Sequence, residues 1–435
     1  MSLAIFNIND AGIQLSLDGD HLRTSPGYAV VHDNNLMIGE EAANNTKLLT
    51  RWTNSRFWSK LTTAPLEGGT SQIRHHADLA FAHLEALWQP IADRSTAAVF
   101  VVPGYFSGEH LSLLLGMAKE CGIPLRGVVD NSVVAASNLA LHRNILHLDI
   151  HLHAITLTRL HSSSGSVTRH KVEVVLETGL ATLRDRWADI IANQLIQTTR
   201  FDPMHNADSE QQLFNLLPGW IRQLGSEQMQ GFSMKSAGVE HSVAVSRESL
   251  MRACAPLYPQ IVQAVRSEMT AGEPASLMLS HHFEGFPGLL ESLHLIADLE
   301  ITNLHESKTL GSAYLHRDQI LSASDSAISH ILQLKSGAES EPNEPTSPRK
   351  PTHLLWGDTA YPIGRGRKLP ADTDSSSTGD SSVYLRDNQL ILEPGNHQPF
   401  TVNGETINSP CTLDTGDVIK SGDQELTVIT VLTDG

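Results

Sequence analysis

Four residues capable of metal-binding or acid–base chemistry, His147, Asp149, His151 and His153, alternate within the segment HLDIHLHA. If that segment runs as one continuous strand, all four side chains project from one face. Imidazole and carboxylate together bind zinc or another transition metal, so the run is compatible with a His/Asp-centred metalloenzyme. No second ligand cluster accompanies it. The adjacent pairs His75-His76 and His281-His282 point apart on helices and strands alike, which fits surface or cleft histidines better than ligands. Cys121, Cys254 and Cys411 lie far apart with no CxxC spacing. Neither a disulfide framework nor a thiolate zinc site is expected, and a reducing compartment fits.

The elements that must position these residues follow from composition and pattern. A chain of 435 residues with 40% hydrophobic content buries sizeable cores and divides into two or three domains. Its 48 acidic and 31 basic residues give a formal charge of -17, which repels phosphate backbones and anionic lipid. Nucleic acid and membrane are therefore not expected partners. No stretch reaches the roughly 18 apolar residues of a membrane span, and the start MSLAIFNINDAG lacks a leader pattern, so a cytoplasmic location is expected.

Residues 1–330 alternate short β-type runs with helical patterns, as α/β architecture requires. The clearest unit is AAVFVVPGYFSGEHLSLLLGMAKECGIPLRGVV, an apolar strand, a helix and a second strand with the spacing of a parallel crossover. Ser107 caps the helix, Glu109 favours its positive end, and Leu111, Leu114, Leu115 and Ala118 form its apolar stripe before Gly122 and Pro124 stop it. A further helix through ATLRDRWADIIANQLIQ carries Leu183, Trp187, Ile190, Ile191 and Leu195 on one face. Residues 331–351, rich in Pro, Ser and Glu, read as a disordered linker. Residues 352–435 hold short β-forming runs such as QLILEP, PFTVNG, DVIKSG and ELTVITVL, the pattern of a small all-β sandwich. Asp372 to Ser382 reads as a loop. No internal repeat is evident.

The segments VPGYF (Val102 to Phe106) and DNSVVAAS (Asp130 to Ser137) resemble the DnaK-type heat-shock chaperone family, which carries VPAYF, a helix and a strand leading to NEPTAAA. TSPGYAVVHDNNLMIGEEAANN is similar to its early hairpin, and HLDIHLHAITLTRL, SLMLSHHFEGFPGLLESL and LGSAYLHRDQI follow in the family's order. The resemblance implies a two-lobed actin-like ATPase fold over residues 1–330, and a turn inside the histidine run that scatters its side chains. Holding ATP needs close approach of backbone N–H groups to phosphate, hence glycine-rich loops. Those glycines are replaced here. By the resemblance, Asn7 stands for the metal-organising aspartate, with Asn9 and Asp10 in the same first loop. Asp149 is kept, but His151, Leu152 and His153 replace a glycine triplet. Arg56 or Lys60 stands for a lysine, Asn131 for an acid, and Ser280, His281 and His282 for paired glycines of the adenosine loop. These are the candidate cofactor-binding residues of a pseudo-ATPase: no catalytic residue and no metal ligand is assigned.

The last 84 residues resemble a forkhead-associated domain, through YPIGRGRKLP and FTVNGETI followed by LDTGDVIKSG. That resemblance implies phosphothreonine contacts from Arg365 or Arg367, Ser381 or Ser382, and Asn403. The family's Ser-Arg-x-His signature is absent, which favours docking of unphosphorylated protein. The expectation is a chaperone-like, non-hydrolysing binding or scaffold module without bound cofactor, meeting protein partners through the interlobe cleft and the C-terminal sandwich. The alternatives are an ATP–magnesium-binding chaperone with residual activity, and the metalloenzyme.

Overall fold

The computed structural model describes residues 2–33, 35–66, 69–176, 178–224, 227–270, 272–322 and 328–336, then most strands between 352 and 429. It is a mixed α/β chain in two compact units, Met1–Ser340 and Glu341–Gly435.

The first unit contains two six-stranded sheets that share one topology over five strands, the sixth lying at opposite edges. In the first sheet, Leu3–Asn7, Ile13–Leu17 and Asp20–Ser25 form an antiparallel meander. Strands Ala97–Val102 and Leu125–Asp130 then add in parallel on the other side of Leu3–Asn7. In the second sheet, Asn144–Ile150, Ala154–Ser163 and Ser166–Leu176 form the meander. Ala275–Leu279 and Leu299–Asn303 add in parallel beside Asn144–Ile150. The topology repeats although the residues do not, because strand pairing depends on alternation and backbone, which many sequences satisfy.

Parallel strands buried on both faces need continuous apolar runs, and Ala97–Val102 is buried at every position. Ser107 does cap the following helix, Gly108–Glu120, which buries Leu114, Met117 and Ala118. Helix Leu180–Thr199 buries Leu183, Trp187, Ile191 and Leu195 against the second sheet. Between the sheets lies a shared core of Ile5, Val99, Val134, Ile145, Met278 and Leu310, among others.

Two short strands correct the expected linker boundary of 331. His330–Ile331 pairs in parallel with Leu125–Asp130, and Gln333–Lys335 pairs with Ser166–Thr168, so this segment bridges the free edges of both sheets. Leu334 joins the shared core at 2% exposure, which holds the segment in the first unit despite its polar neighbours. Residues 337–351 lie outside the described residues.

The second unit forms two antiparallel sheets around Leu354, Val383, Leu390, Leu392, Leu413, Ile419, Leu426 and Val428. The strands expected from QLILEP, PFTVNG, DVIKSG and ELTVITVL are present.

Beneath the first sheet, His83 is fully buried between Ser25 Oγ at 2.8 Å and the Trp58 indole, whose N–H donates to Nδ1 at 3.1 Å. An accepting Nδ1 keeps the ring neutral, and burial pushes its pKa down to about 3. The unfolded chain therefore binds a proton that the folded chain excludes. Stability falls as pH drops from the ordinary histidine value toward 3, by up to ~1.4 kcal/mol per pH unit. Urea unfolding should show the gap between wild type and His83→Gln narrowing from pH 7 to pH 4.5; a constant gap would contradict the buried neutral ring.

Candidate functional site

The carboxyl ends of the parallel strands meet at one place, where α/β proteins commonly hold ligands. Turn 8–12 leaves the first meander strand, and turn 151–153 leaves the matching strand of the second sheet. Asp130 and Asn131 follow Leu125–Asp130, and Ser280 to His282 follow Ala275–Leu279.

Asp149 sits at the centre, 3% exposed. Its Oδ2 accepts from Asn9 Nδ2 at 3.0 Å and from Asn131 Nδ2 at 3.1 Å. The Asn9 amide also donates to the Ile150 carbonyl at 3.1 Å. His282 Nδ1 lies 3.7 Å from Oδ1, and His151 Nε2 lies 4.0 Å from Oδ2. Burial alone would raise the Asp149 carboxyl, but His282, His151 and His147 outweigh it and hold the group well below the usual carboxylate range. Asp10 has the opposite fate: burial is the largest influence and raises it, despite His151 Nδ1 at 3.9 Å. Its Oδ1 accepts from the Leu152 N–H at 2.7 Å, while Oδ2 has no hydrogen-bond partner among the described residues.

The residues do not fit a nucleotide held by its phosphates. In the first turn, the Ala11 N–H is taken by Asn9 Oδ1 at 2.9 Å and the Gly12 N–H by the Asn9 carbonyl at 2.9 Å. In the second, the His151 N–H goes to Ala154 and the Leu152 N–H to Asp10. Helix Leu180–Thr199 would present an anion-binding N-terminus, but the Leu180 and Ala181 N–H groups donate to the His151 and Leu152 carbonyls at 2.9 and 3.0 Å. The turn is pressed so close that a Cβ on Gly179 would fall 2.3 Å from the Leu152 carbonyl oxygen.

Of the expected residues, the structure brings together Asn9, Asp10, Asn131, Asp149 and His151 in one buried network. Asn7 turns instead to Gln14, donating from Nδ2 at 3.0 Å. His153 Nε2 reaches Ser55 Oγ at 3.0 Å, beside Arg56. Ser280 is buried with its hydroxyl unpartnered. His281 is kept neutral by burial, with a pKa near 3.

The histidine run is not one strand: it ends at Ile150, and the chain reverses through 151–153, so the four side chains do not share a face. His147 instead meets Ser132 Oγ at 2.8 Å. Among the described residues no group of three or more His, Cys, Asp or Glu is arranged to hold a metal. His281 and His282 do not point apart either. They begin a short 3-10 turn, and their ring centroids lie 3.9 Å apart. Tyr105, quoted only for its motif, packs its ring edge-on to His151 at 4.9 Å.

A cavity of about 490 Å3 adjoins the network, lined by Ala11, Arg184, Trp187, Arg222, His281 and Glu306 among others. In the second unit, Arg365 and Ser381 lie outside the described residues, and Arg367 falls in strand Arg367–Lys368. Asn403, at positive φ in the Asn-Gly turn, donates to Asp417 at 2.8 Å and accepts from the Val418 N–H at 2.9 Å. No family model matches the chain, and no curated protein matches it.

Two substitutions separate the carboxylates. Asp149→Asn can keep both amide bonds on its carbonyl oxygen, but it turns an NH2 on the Ile150 N–H that Oδ1 accepts at 2.9 Å and removes the charge the neighbouring histidines favour, and it should cost about 3 kcal/mol at pH 7. Asp10→Asn removes a charge that burial disfavours and should leave stability unchanged or higher. Equal losses in denaturant melts would contradict the assignment. Gly179→Ala should cost about 3 kcal/mol, because backbone must move; a melt like that of wild type would show the contact is loose.

Proposed function

We propose that residues 1–330 form a two-lobed actin-like, DnaK-type fold whose nucleotide-gripping turns have become structural contacts, and that the chain is a non-hydrolysing, chaperone-like binding or scaffold module. The repeated meander-plus-parallel-strand topology supports the fold reading, with VPGYF and DNSVVAAS both placed at the carboxyl ends of parallel strands. One observation carries the functional reading: the Ala11, Gly12, His151 and Leu152 backbone N–H groups of the two turns already donate to protein oxygens.

Phosphoryl transfer depends on positioning and charge neutralisation. Here the retained aspartate is occupied by Asn9 and Asn131 rather than turned toward a cation. We read the second unit as a forkhead-associated-like sandwich that docks unphosphorylated protein, since both polar atoms of the Asn403 amide are engaged within its own turn. Partners would meet the cleft or this sandwich.

The cavity beside the network favours one alternative, an ATP-binding chain with residual activity, because Arg184, Arg222 and Trp187 line it. Titration calorimetry with ATP and magnesium decides between them. No saturable heat is expected, and phosphate release should match the enzyme-free blank; turnover abolished by Asp149→Asn would overturn the proposal.

A further inference from the structure

The two sheets of the first unit are joined at three levels. At the rim, Gln211 accepts from the Lys47 N–H at 2.7 Å and donates to the Ala43 carbonyl at 3.0 Å. Lys47 Nζ lies 3.4 Å from both Asp185 and Glu210, and 3.7 Å from the centre of the Phe214 ring. At the base, Arg169 pairs with the buried Asp130 at 2.7 Å, and segment 330–335 pairs with one edge of each sheet. In the middle lie the Asn9–Asp149, Asn131–Asp149 and Asp10–Leu152 hydrogen bonds.

These levels are not equal. The rim ion pairs are partly exposed, and such pairs hold weakly and are screened by salt. The middle level is buried, where its hydrogen bonds are sheltered from salt and competing water, so it holds the sheets more firmly than the rim does. A cleft closed by a ligand has donors and acceptors that face the ligand. Here the groups facing one another across the two turns are one another's partners.

We propose that this chain is constitutively closed, with Asn9, Asp10 and Asn131 doing from inside the protein what a bound small molecule and cation would do between the sheets. Resting on the non-hydrolysing reading, this means that the angle between the sheets is set by the sequence and not by occupancy. Any partner recognises one state, and release requires the partner, not a nucleotide cycle.

Hydrogen exchange on the full chain tests this, following peptides over 5–13, 40–47 and 147–156 alone, with magnesium, and with magnesium and ATP. Protection should be the same in all three conditions. Asn9→Ala should speed exchange at 147–156 at least tenfold, whereas Gln211→Ala should speed it at 40–47 only. Added protection in both turns with magnesium or magnesium–ATP would overturn the proposal, as would wild-type exchange in Asn9→Ala. If Asn9→Ala does not fold, X-ray scattering of wild type with and without magnesium–ATP decides: an unchanged radius supports closure and a smaller one refutes it. Saturable ATP binding by calorimetry with unchanged exchange would defeat the non-binding reading while leaving closure intact.

Discussion

A carboxylate shielded from water must find hydrogen-bond donors or positive charge, and Asp149 finds amide donors across a boundary between two sheets. Its amide partners, Asn9 and Asn131, come from the first sheet's turn and from the start of the short helix after Asp130. Asp149 itself ends a strand of the second sheet. Satisfying this one group therefore fixes how the halves meet. It also uses the atoms that a cation would need: both amide bonds fall on Oδ2, and Oδ1 accepts from the Ile150 N–H at 2.9 Å.

The surrounding backbone follows the same logic. Glycine-rich loops keep N–H groups available by making the chain approachable from outside. Turn 8–12 and turn 151–153 instead bond the Ala11, Gly12, His151 and Leu152 N–H groups inward, to Asn9, Asp10 and Ala154. Gly179, which close approach demands beside these turns, faces the Leu152 carbonyl. Backbone permissiveness is used for packing turn against helix, and the helix N-terminus closes on those same carbonyls.

Local features were legible in the residues. The capped helix after VPGYF, the apolar stripe with Trp187 and the β runs of the second unit each depend on neighbours within a few positions, which periodicity reports directly. Contacts between distant segments were not. Asn9 and Asp149 are 140 positions apart, and nothing local in either says that they meet. The alternation of His147 through His153 misled because period two implies a shared face only while the strand lasts, and the strand stops at Ile150. The repeated sheet topology was invisible for a related reason: His151 and Leu152 in one turn correspond to nothing similar in the other. Leu334 sits in the short run HILQLK, too brief for its pattern to say which sheet edges it would join.

Opposed pKa shifts around one imidazole usually mark an acid–base site, since burial and neighbouring charge drive two carboxyls apart. Asp10 and Asp149 meet that description, one raised and the other lowered, with His151 between them. Catalysis also needs the groups to reach a substrate. Asp10 and Asp149 are 1% and 3% exposed, and neither lines the adjoining cavity, which is walled instead by Ala11, His281 and His282. Tyr105, packed on His151, is driven well above its ordinary range by burial and by both carboxylates. On the reading proposed above, the electrostatics that would tune an active site hold two turns together, and accessibility, not the size of the shifts, distinguishes the two uses.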